Sequence, residues 1–199
     1  MSVDPLNLIQ VMLAEGKEMS EKIDSQDYQA SKPDETSRSN IKKLTLAAIL
    51  TALTVALSTF YIPIGATKCF PAQHMINGIA GVLLGPWIAA LMAVATGTIR
   101  NILSLGTLYA YPGGIPGAIV VGLLHRYLWK KDYAALAEPI GTVAIGATLS
   151  ALILAPMQGQ DLTMYFFWTA FAASSIPGAI LGYTVLKAIR RLGLEKQIL

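Results

Sequence analysis

Apolar residues from Leu44 to the C-terminus form long runs, separated by short polar or glycine- and proline-containing breaks. Because a membrane-spanning helix needs about 20 mostly apolar residues, runs of this kind predict such helices. We predict an all-α membrane protein, a bundle of six transmembrane helices at about 44–62, 74–84, 87–105, 112–128, 134–154 and 162–189. The second helix is too short to cross a bilayer alone, and the sixth contains a Pro177-Gly178 kink site.

The first 40 residues have a different pattern, since they are polar and contain most of the acidic residues of the chain. Leu6, Ile9 and Leu13 are spaced to line one face of a short amphipathic helix. The composition of residues 25–40 is typical of a mobile segment. We therefore predict a polar, mobile cytoplasmic tail over residues 1–40 and a transmembrane domain over residues 41–199.

Composition and charge support the membrane assignment. Only 14% of residues are charged and 54% are hydrophobic, whereas about a quarter of residues are charged in soluble domains. The net charge of +3 comes from Lys and Arg beside the apolar runs, with no basic stripe among aromatics, which argues against nucleic-acid binding. The single cysteine, Cys69, excludes an internal disulfide and a multi-cysteine metal site.

Basic residues give the orientation. With six spans they cluster on one side of the membrane: Lys42, Lys43, Arg126, Lys130, Lys131, Lys187, Arg190, Arg191 and Lys196. Because positive residues concentrate on the cytoplasmic side, both termini are expected in the cytoplasm of a multi-pass protein of the plasma membrane.

The opposite end of the predicted bundle contains hydrogen-bonding and aromatic side chains. Polar groups near hydrocarbon are costly and usually functional, and a few of them among aromatic walls are typical of a small-molecule pocket. The candidate binding residues are Lys68, Gln73, His74, Asn77, Arg100, Asn101, Tyr165 and Trp168.

Several of these residues also have structural interpretations. Lys68 is placed to snorkel toward water, and Arg100 to pair with Asp161. Glu138 lies near the cytoplasmic end of the fifth span, away from the outer cluster, and we expect it to pair with a neighbouring helix. A proton-coupling role for Glu138 is the alternative.

Small residues recur every fourth position on the first span, at Ala48, Ala52 and Ala56, and so form one smooth stripe. Small residues let helices approach closely in lipid, so this stripe suits packing inside the bundle or docking of a partner protein. Catalytic motifs are missing: the chain has no phosphate-binding glycine loop, HExxH pair or nucleophile elbow. We therefore expect no enzyme activity, and any driving energy must come from ions or from another subunit.

The segment KCFPAQHMINGIAGVLLGPW (68–87), with residues 97–101 and 111–113, resembles the substrate-binding S components of energy-coupling factor (ECF) vitamin transporters. The likeness is to the ThiW type, assigned to the thiazole precursor of thiamine. It covers residues 43–159 well and the last helix loosely. It implies six helices with cytoplasmic termini, and a complex with one transmembrane coupling protein and two ATPases. It also implies that the alanine stripe docks the coupling protein, and that the ligand lies near the outer face under a gating loop, here residues 62–73.

We accordingly expect residues 41–199 to be a substrate-binding domain for a vitamin precursor, with hydroxyethylthiazole as the expected ligand. His74, Asn77 and Asn101 would bond the ligand and Trp168 would stack on its ring. The chain itself would need no cofactor or metal, since its partners would use the ATP. The alternatives are an S component for another vitamin, a stand-alone ion-coupled transporter of a small heterocyclic metabolite, and a membrane scaffold.

Overall fold

The computed structural model describes residues 5–31, 35–64 and 67–194. Its helices and strands, in chain order, are α1 (Pro5–Ser31), α2 (Glu35–Leu57), β1 (Ile62–Ile64), β2 (Thr67–Cys69), α3 (Pro71–Leu84), α4 (Pro86–Ile102), α5 (Ala110–Leu123), α6 (Asp132–Met157) and α7 (Met164–Arg191). A π-type turn, Leu124–Trp129, extends α5. The predicted all-α class is confirmed, and the strands form only a short antiparallel hairpin in which Ile62 pairs with Cys69.

Three of the described helices are long and apolar enough to cross a membrane: Thr36–Leu57, Asp132–Met157 and Met164–Arg191. Helices α3, α4 and α5 coincide with predicted spans: α3 begins earlier than its predicted span of 74–84, whereas α4 and α5 are shorter than theirs. The predicted first helix is shorter at its outer end, because the chain leaves the helix after Leu57 and enters the hairpin. The last helix runs continuously through Pro177.

Backbone contacts divide the chain into two units, Met1–Ile41 and Lys42–Leu199. In the first unit, helix α1 is much longer than the short amphipathic helix that the sequence predicts, and reaches into the segment predicted as a mobile tail. The side chains of Leu6 and Leu13 are exposed, while that of Ile9 lies outside the described residues. The role of this unit stays a prediction.

Helix α3 is the centre of the second unit and packs against α4, α5 and α7. Pro71 begins the helix, where its missing N–H group needs no partner. At the other end Gly85 adopts a φ of +82°, and Pro86 then starts α4. The apolar core forms around Ile76, Ile79 and Ala80 together with buried residues of the neighbouring helices.

Helix α6 is wound irregularly. It begins as a 3₁₀ helix over Asp132–Ala137 and contains π-type segments at Ile140–Ala147 and Ser150–Leu154. Its close approach to α5 depends on glycine, since a Cβ on Gly141 would lie 2.3 Å from the carbonyl oxygen of Pro116. This approach brings Glu138 of α6 against α5 and α3.

Candidate binding site

A cavity of about 560 Å³ opens where the hairpin and the loops before α5 and α7 meet α3, α4, α5 and α7. Its polar wall is made by Lys68, Gln73, His74, Arg100, Gln160, Asp161 and Ser174. Its aromatic wall is made by Phe70, Tyr109, Phe166, Phe167 and Phe171. Flat apolar walls with a few convergent hydrogen-bonding groups suit a small organic ligand, and the volume lies in the usual range for such pockets.

Arg100 is the buried cation of the site, with only 1% of its surface exposed. It donates a hydrogen bond from Nη1 to Oε1 of Gln73, and its guanidinium lies 4.1 Å from the ring centre of Phe70. Its Nε has no hydrogen-bond partner among the described residues. The guanidinium is therefore held by an amide and an aromatic face, which leaves donor capacity at the cavity wall.

His74 and Glu138 form a buried pair, with His74 Nδ1 2.8 Å from Glu138 Oε1. The same oxygen lies 2.7 Å from the hydroxyl of Thr142, which also lies 2.9 Å from the carbonyl oxygen of Gly113. Glu138 is completely buried, and its Oε2 has no partner in the described part of the chain. The sequence placed Glu138 away from the outer cluster. In the structure, Glu138 of α6 instead contacts His74 of α3, one of the residues of that cluster.

Glycines of α5 make room for these polar side chains. A Cβ on Gly117 would lie 2.4 Å from both Glu138 Oε1 and Thr142 Oγ1. A Cβ on Gly114 would lie 2.8 Å from the Gln73 amide nitrogen. The polar network thus occupies space that any larger residue on this face of α5 would remove.

The loop before α3 is anchored to α7 beside the cavity. Ser174 Oγ accepts a hydrogen bond from the backbone N–H of Phe70 at 2.8 Å, and Cys69 Sγ lies 3.5 Å from the carbonyl oxygen of Ala170. Burial raises the pKa of the Cys69 thiol, because the thiolate would lose hydration. Lys68 is exposed, with its ammonium 4.4 Å from the ring centre of Tyr61.

Four of the eight residues that the sequence singled out are brought together in the cavity wall: Lys68, Gln73, His74 and Arg100. The other four do not line it. Asn77 donates to the carbonyl oxygen of Gly114 at 3.2 Å, and Asn101 donates to its own helix at Gly97.

The two aromatic candidates face outward. Tyr165 is 75% exposed, and Trp168, 43% exposed, donates to the hydroxyl of Thr148. Ligand contacts by all eight residues stay predictions.

Several wall residues were not identified from the sequence. Tyr109 is one of them, and its hydroxyl donates to Oε1 of Gln160, another wall residue, at 2.7 Å. Phe166, Phe167 and Phe171 are others, and they belong to an aromatic run at the start of α7. That run is the sequence signal from which an aromatic wall could have been predicted. Arg100 and Asp161 both line the cavity, and the described partner of Arg100 is Gln73.

The alanine stripe of α2 lies on the outside of its unit, since Ala48, Ala52 and Ala56 are all exposed. The buried face of the same helix is formed by Leu50, Thr51, Thr54 and Ser58. The stripe is thus not used for packing within the described part of the bundle. No group of three or more potential metal ligands occurs among the described residues.

The family model for the thiamine-precursor transporter protein (ThiW) matches residues 44–192 of the chain. These residues cover α2 from residue 44, all helices from α3 to α7 and the whole cavity. No curated protein matches the chain.

Proposed function

The chain belongs to the thiamine-precursor transporter (ThiW) family, and from that premise we propose that it is the substrate-binding S component of an ECF-type transporter. The observation that carries the proposal is the cavity, which combines phenylalanine walls with the polar ends of Gln73, His74 and Arg100. Such a site suits a small heteroaromatic ligand with hydrogen-bonding substituents. Hydroxyethylthiazole, with a flat ring, a ring nitrogen and one hydroxyl, is the proposed substrate.

The cavity supports a specific division of roles. Phe167 and Phe171, whose rings are 6.1 Å apart and nearly perpendicular, would contact the ring of the ligand. Arg100 has donors for an acceptor on the ligand, such as the ring nitrogen. His74 would bond the hydroxyl. The loop from the hairpin to Phe70 would close over the bound ligand, since it is attached to α7 by single hydrogen bonds beside the cavity.

The exposed alanine stripe supports the proposed partner. Ala48, Ala52 and Ala56 present a smooth surface on which another transmembrane helix can approach closely. We assign this surface to the transmembrane coupling protein of a complex that includes two ATPases. The complex would lie in the plasma membrane with both termini of this chain in the cytoplasm. ATP would be used by the partner subunits, and this chain would bind no cofactor.

Calorimetry with the detergent-purified protein tests the substrate. We expect tight binding of hydroxyethylthiazole and weaker binding of hydroxymethylpyrimidine and thiamine. Replacing Gln73 or His74 with Ala should weaken binding at least tenfold, because each loses a polar contact at the wall. Tight binding of thiamine or the pyrimidine instead would contradict the thiazole assignment, and binding of none of them by folded protein would contradict the S-component proposal.

Co-purification tests the docking surface. Ala52→Trp places a large ring in the centre of the stripe and should abolish assembly with the coupling protein while ligand affinity stays unchanged. Leu53→Trp, on a neighbouring exposed position, is the matched control and should assemble normally. Normal assembly of the Ala52 variant would contradict the docking role.

A stand-alone ion-coupled transporter is the second candidate, and the buried His74–Glu138 pair favours it, since such pairs carry protons in many transporters. Uptake into cells that lack the ATPases decides between the two. Uptake that persists there and collapses with the proton gradient would support ion coupling, whereas uptake that requires the ATPases supports the S component.

A further inference from the structure

The position of Glu138 behind His74 has a consequence for which ligands the cavity accepts. His74 lines the cavity, whereas Glu138 is fully buried and is not part of the wall. Because His74 Nδ1 faces Glu138, the ring edge with Nδ1 turns away from the cavity, and Nε2 is the ring nitrogen available to a ligand. Whether Nε2 carries a proton therefore decides whether His74 can bond a hydrogen-bond donor or an acceptor of the ligand.

Charge balance indicates that state. Arg100 and Glu138 are the only fully buried members of the Asp, Glu, Lys and Arg types in the described residues. Their opposite charges cancel when both are ionised, so a second buried cation at His74 would leave the site with an excess charge. A neutral His74 beside the Glu138 carboxylate has its one proton on Nδ1, donated to Oε1. Its Nε2 is then a hydrogen-bond acceptor.

The two polar ends of the cavity then have opposite preferences. His74 offers an acceptor and needs a ligand group that donates, such as a hydroxyl. Arg100 offers only donors and needs a ligand group that accepts. Consecutive residues of α3 fix these two ends through different helices. Gln73 accepts a hydrogen bond from Arg100 of α4, and His74 is hydrogen-bonded to Glu138 of α6.

We propose that Glu138 is a positioning residue that fixes the tautomer of His74, so that the site selects ligands with a hydroxyl donor. The proposal rests on the proposed function, since it assumes that the cavity binds the thiazole alcohol. Glu138 contacts no ligand itself. Its hydrogen bonds come from His74 and Thr142, and the carboxylate keeps the imidazole in one orientation and one tautomer, as carboxylates do behind histidine ligands in metal sites.

The decisive comparison uses hydroxyethylthiazole and its O-methyl ether, which keeps the oxygen as an acceptor but loses the donor. The unmodified protein should prefer the alcohol by about tenfold or more, because the ether leaves Nε2 without a donor. Glu138→Met should reduce this ratio to near one, since no carboxylate then holds the imidazole of His74 in one tautomer. Glu138→Gln keeps an oxygen that accepts from Nδ1 and should retain much of the preference.

The matched control removes another acid from the same helix. Oδ1 of Asp132 lies 2.5 Å from Nε of Arg190, and neither residue lines the cavity. Asp132→Asn should therefore leave the alcohol-to-ether ratio unchanged. A purely structural role of Glu138 predicts that its variants weaken both ligands equally. An unchanged ratio in Glu138→Met, or an ether that binds the unmodified protein as tightly as the alcohol, would overturn the proposal.

A spectroscopic reading separates this proposal from the proposed function. The chain has two histidines, so ¹⁵N NMR of labelled protein, with His125→Gln for assignment, reads His74 directly. We expect the Nδ1–H tautomer without ligand in the unmodified protein and in Glu138→Gln, and a shift toward Nε2–H in Glu138→Met. Finding Nε2–H or a doubly protonated ring in the unmodified protein would overturn the proposal. If neither thiazole binds, the proposed function fails, and the tautomer still decides the role of Glu138.

Discussion

Helices α2 and α3 flank the same hairpin, and they satisfy their polar side chains in opposite ways. On α2 and the turn directly after it, the buried hydroxyls of Thr51, Thr54 and Ser58 all donate to carbonyl oxygens of α2, four residues back. On α3, the three buried polar residues bond to three other helices: Gln73 to α4, His74 to α6 and Asn77 to α5.

The difference indicates that α2 is free to contact lipid or a partner, whereas α3 determines the positions of the helices around the cavity. A helix that satisfies its own polar groups is held to its neighbours mainly by packing, and can present a free face to lipid or a partner. A helix whose polar groups cross to its neighbours fixes their relative positions, since every buried polar group needs its partner. We therefore expect substitutions on α3 to affect stability and binding together, and equivalent substitutions on α2 to have a smaller effect on stability and none on binding.

The largest expected effect is at the buried pair. His74→Ala leaves the Glu138 carboxylate without its main partner and should lower the free energy of unfolding by about 3–5 kcal/mol. Thr54→Val, the control on α2, removes a bond to a carbonyl that already has a backbone partner and should cost about 1 kcal/mol or less. Equilibrium unfolding in mixed micelles measures both. Equal losses would contradict the comparison.

The contact between α3 and α7 should give the next effect. A Cβ on Gly178 would lie 2.4 Å from the carbonyl oxygen of Pro71 and 2.6 Å from Cβ of His74. Gly178→Ala should therefore destabilise the protein by about 1–3 kcal/mol and displace the start of α3. Ala52→Leu on the exposed face of α2 adds more volume and should leave the same unfolding curve unchanged. A neutral Gly178 variant would show that the two backbones are not in close contact.

Asn77 should give a smaller effect. Asn77→Ala removes the hydrogen bond to the carbonyl oxygen of Gly114 and should cost about 1 kcal/mol in unfolding free energy. Because α5 carries the glycines beside Gln73 and Glu138, we also expect weaker ligand binding, through displacement rather than lost contact. Thr51→Val on α2 is the control, for which both measurements should be unchanged. Unchanged affinity in the Asn77 variant would confine its role to packing.

The smallest effect concerns the loop between the two helices and leaves stability untouched. Maleimide reacts with thiolate, and burial raises the pKa of Cys69, so labelling at pH 7.5 should be slow and should quicken as the pH rises. Cys69→Ser with Thr59→Cys moves the thiol to an exposed position beyond the end of α2, where labelling should be at least tenfold faster. Equal rates would show that the loop opens freely.

The sequence predicts the helical class and four of the residues that line the cavity, because apolar runs and isolated polar residues are local signals. It does not predict which polar residues meet. Glu138 lies 64 positions from His74, and their contact depends on how closely α6 approaches α5 at Gly117 and Gly141. Nor does it predict which aromatic residues of α7 line the cavity, because the rotation of a helix about its axis depends on its packing: Phe167 lines the cavity, whereas Trp168 is partly exposed and donates to Thr148.

The π-type winding of α6 makes the orientation of Glu138 sensitive to a single deletion. A π segment typically contains one residue more than an α-helix of the same extent, so deleting one residue within Ile140–Ala147 converts it to regular winding. Such a deletion would rotate Glu138 by about 100° relative to the far end of the helix. A deletion of one codon, with every cavity wall residue retained, would then remove Glu138 from behind His74 and, under the role proposed for Glu138, should lower the alcohol-to-ether ratio.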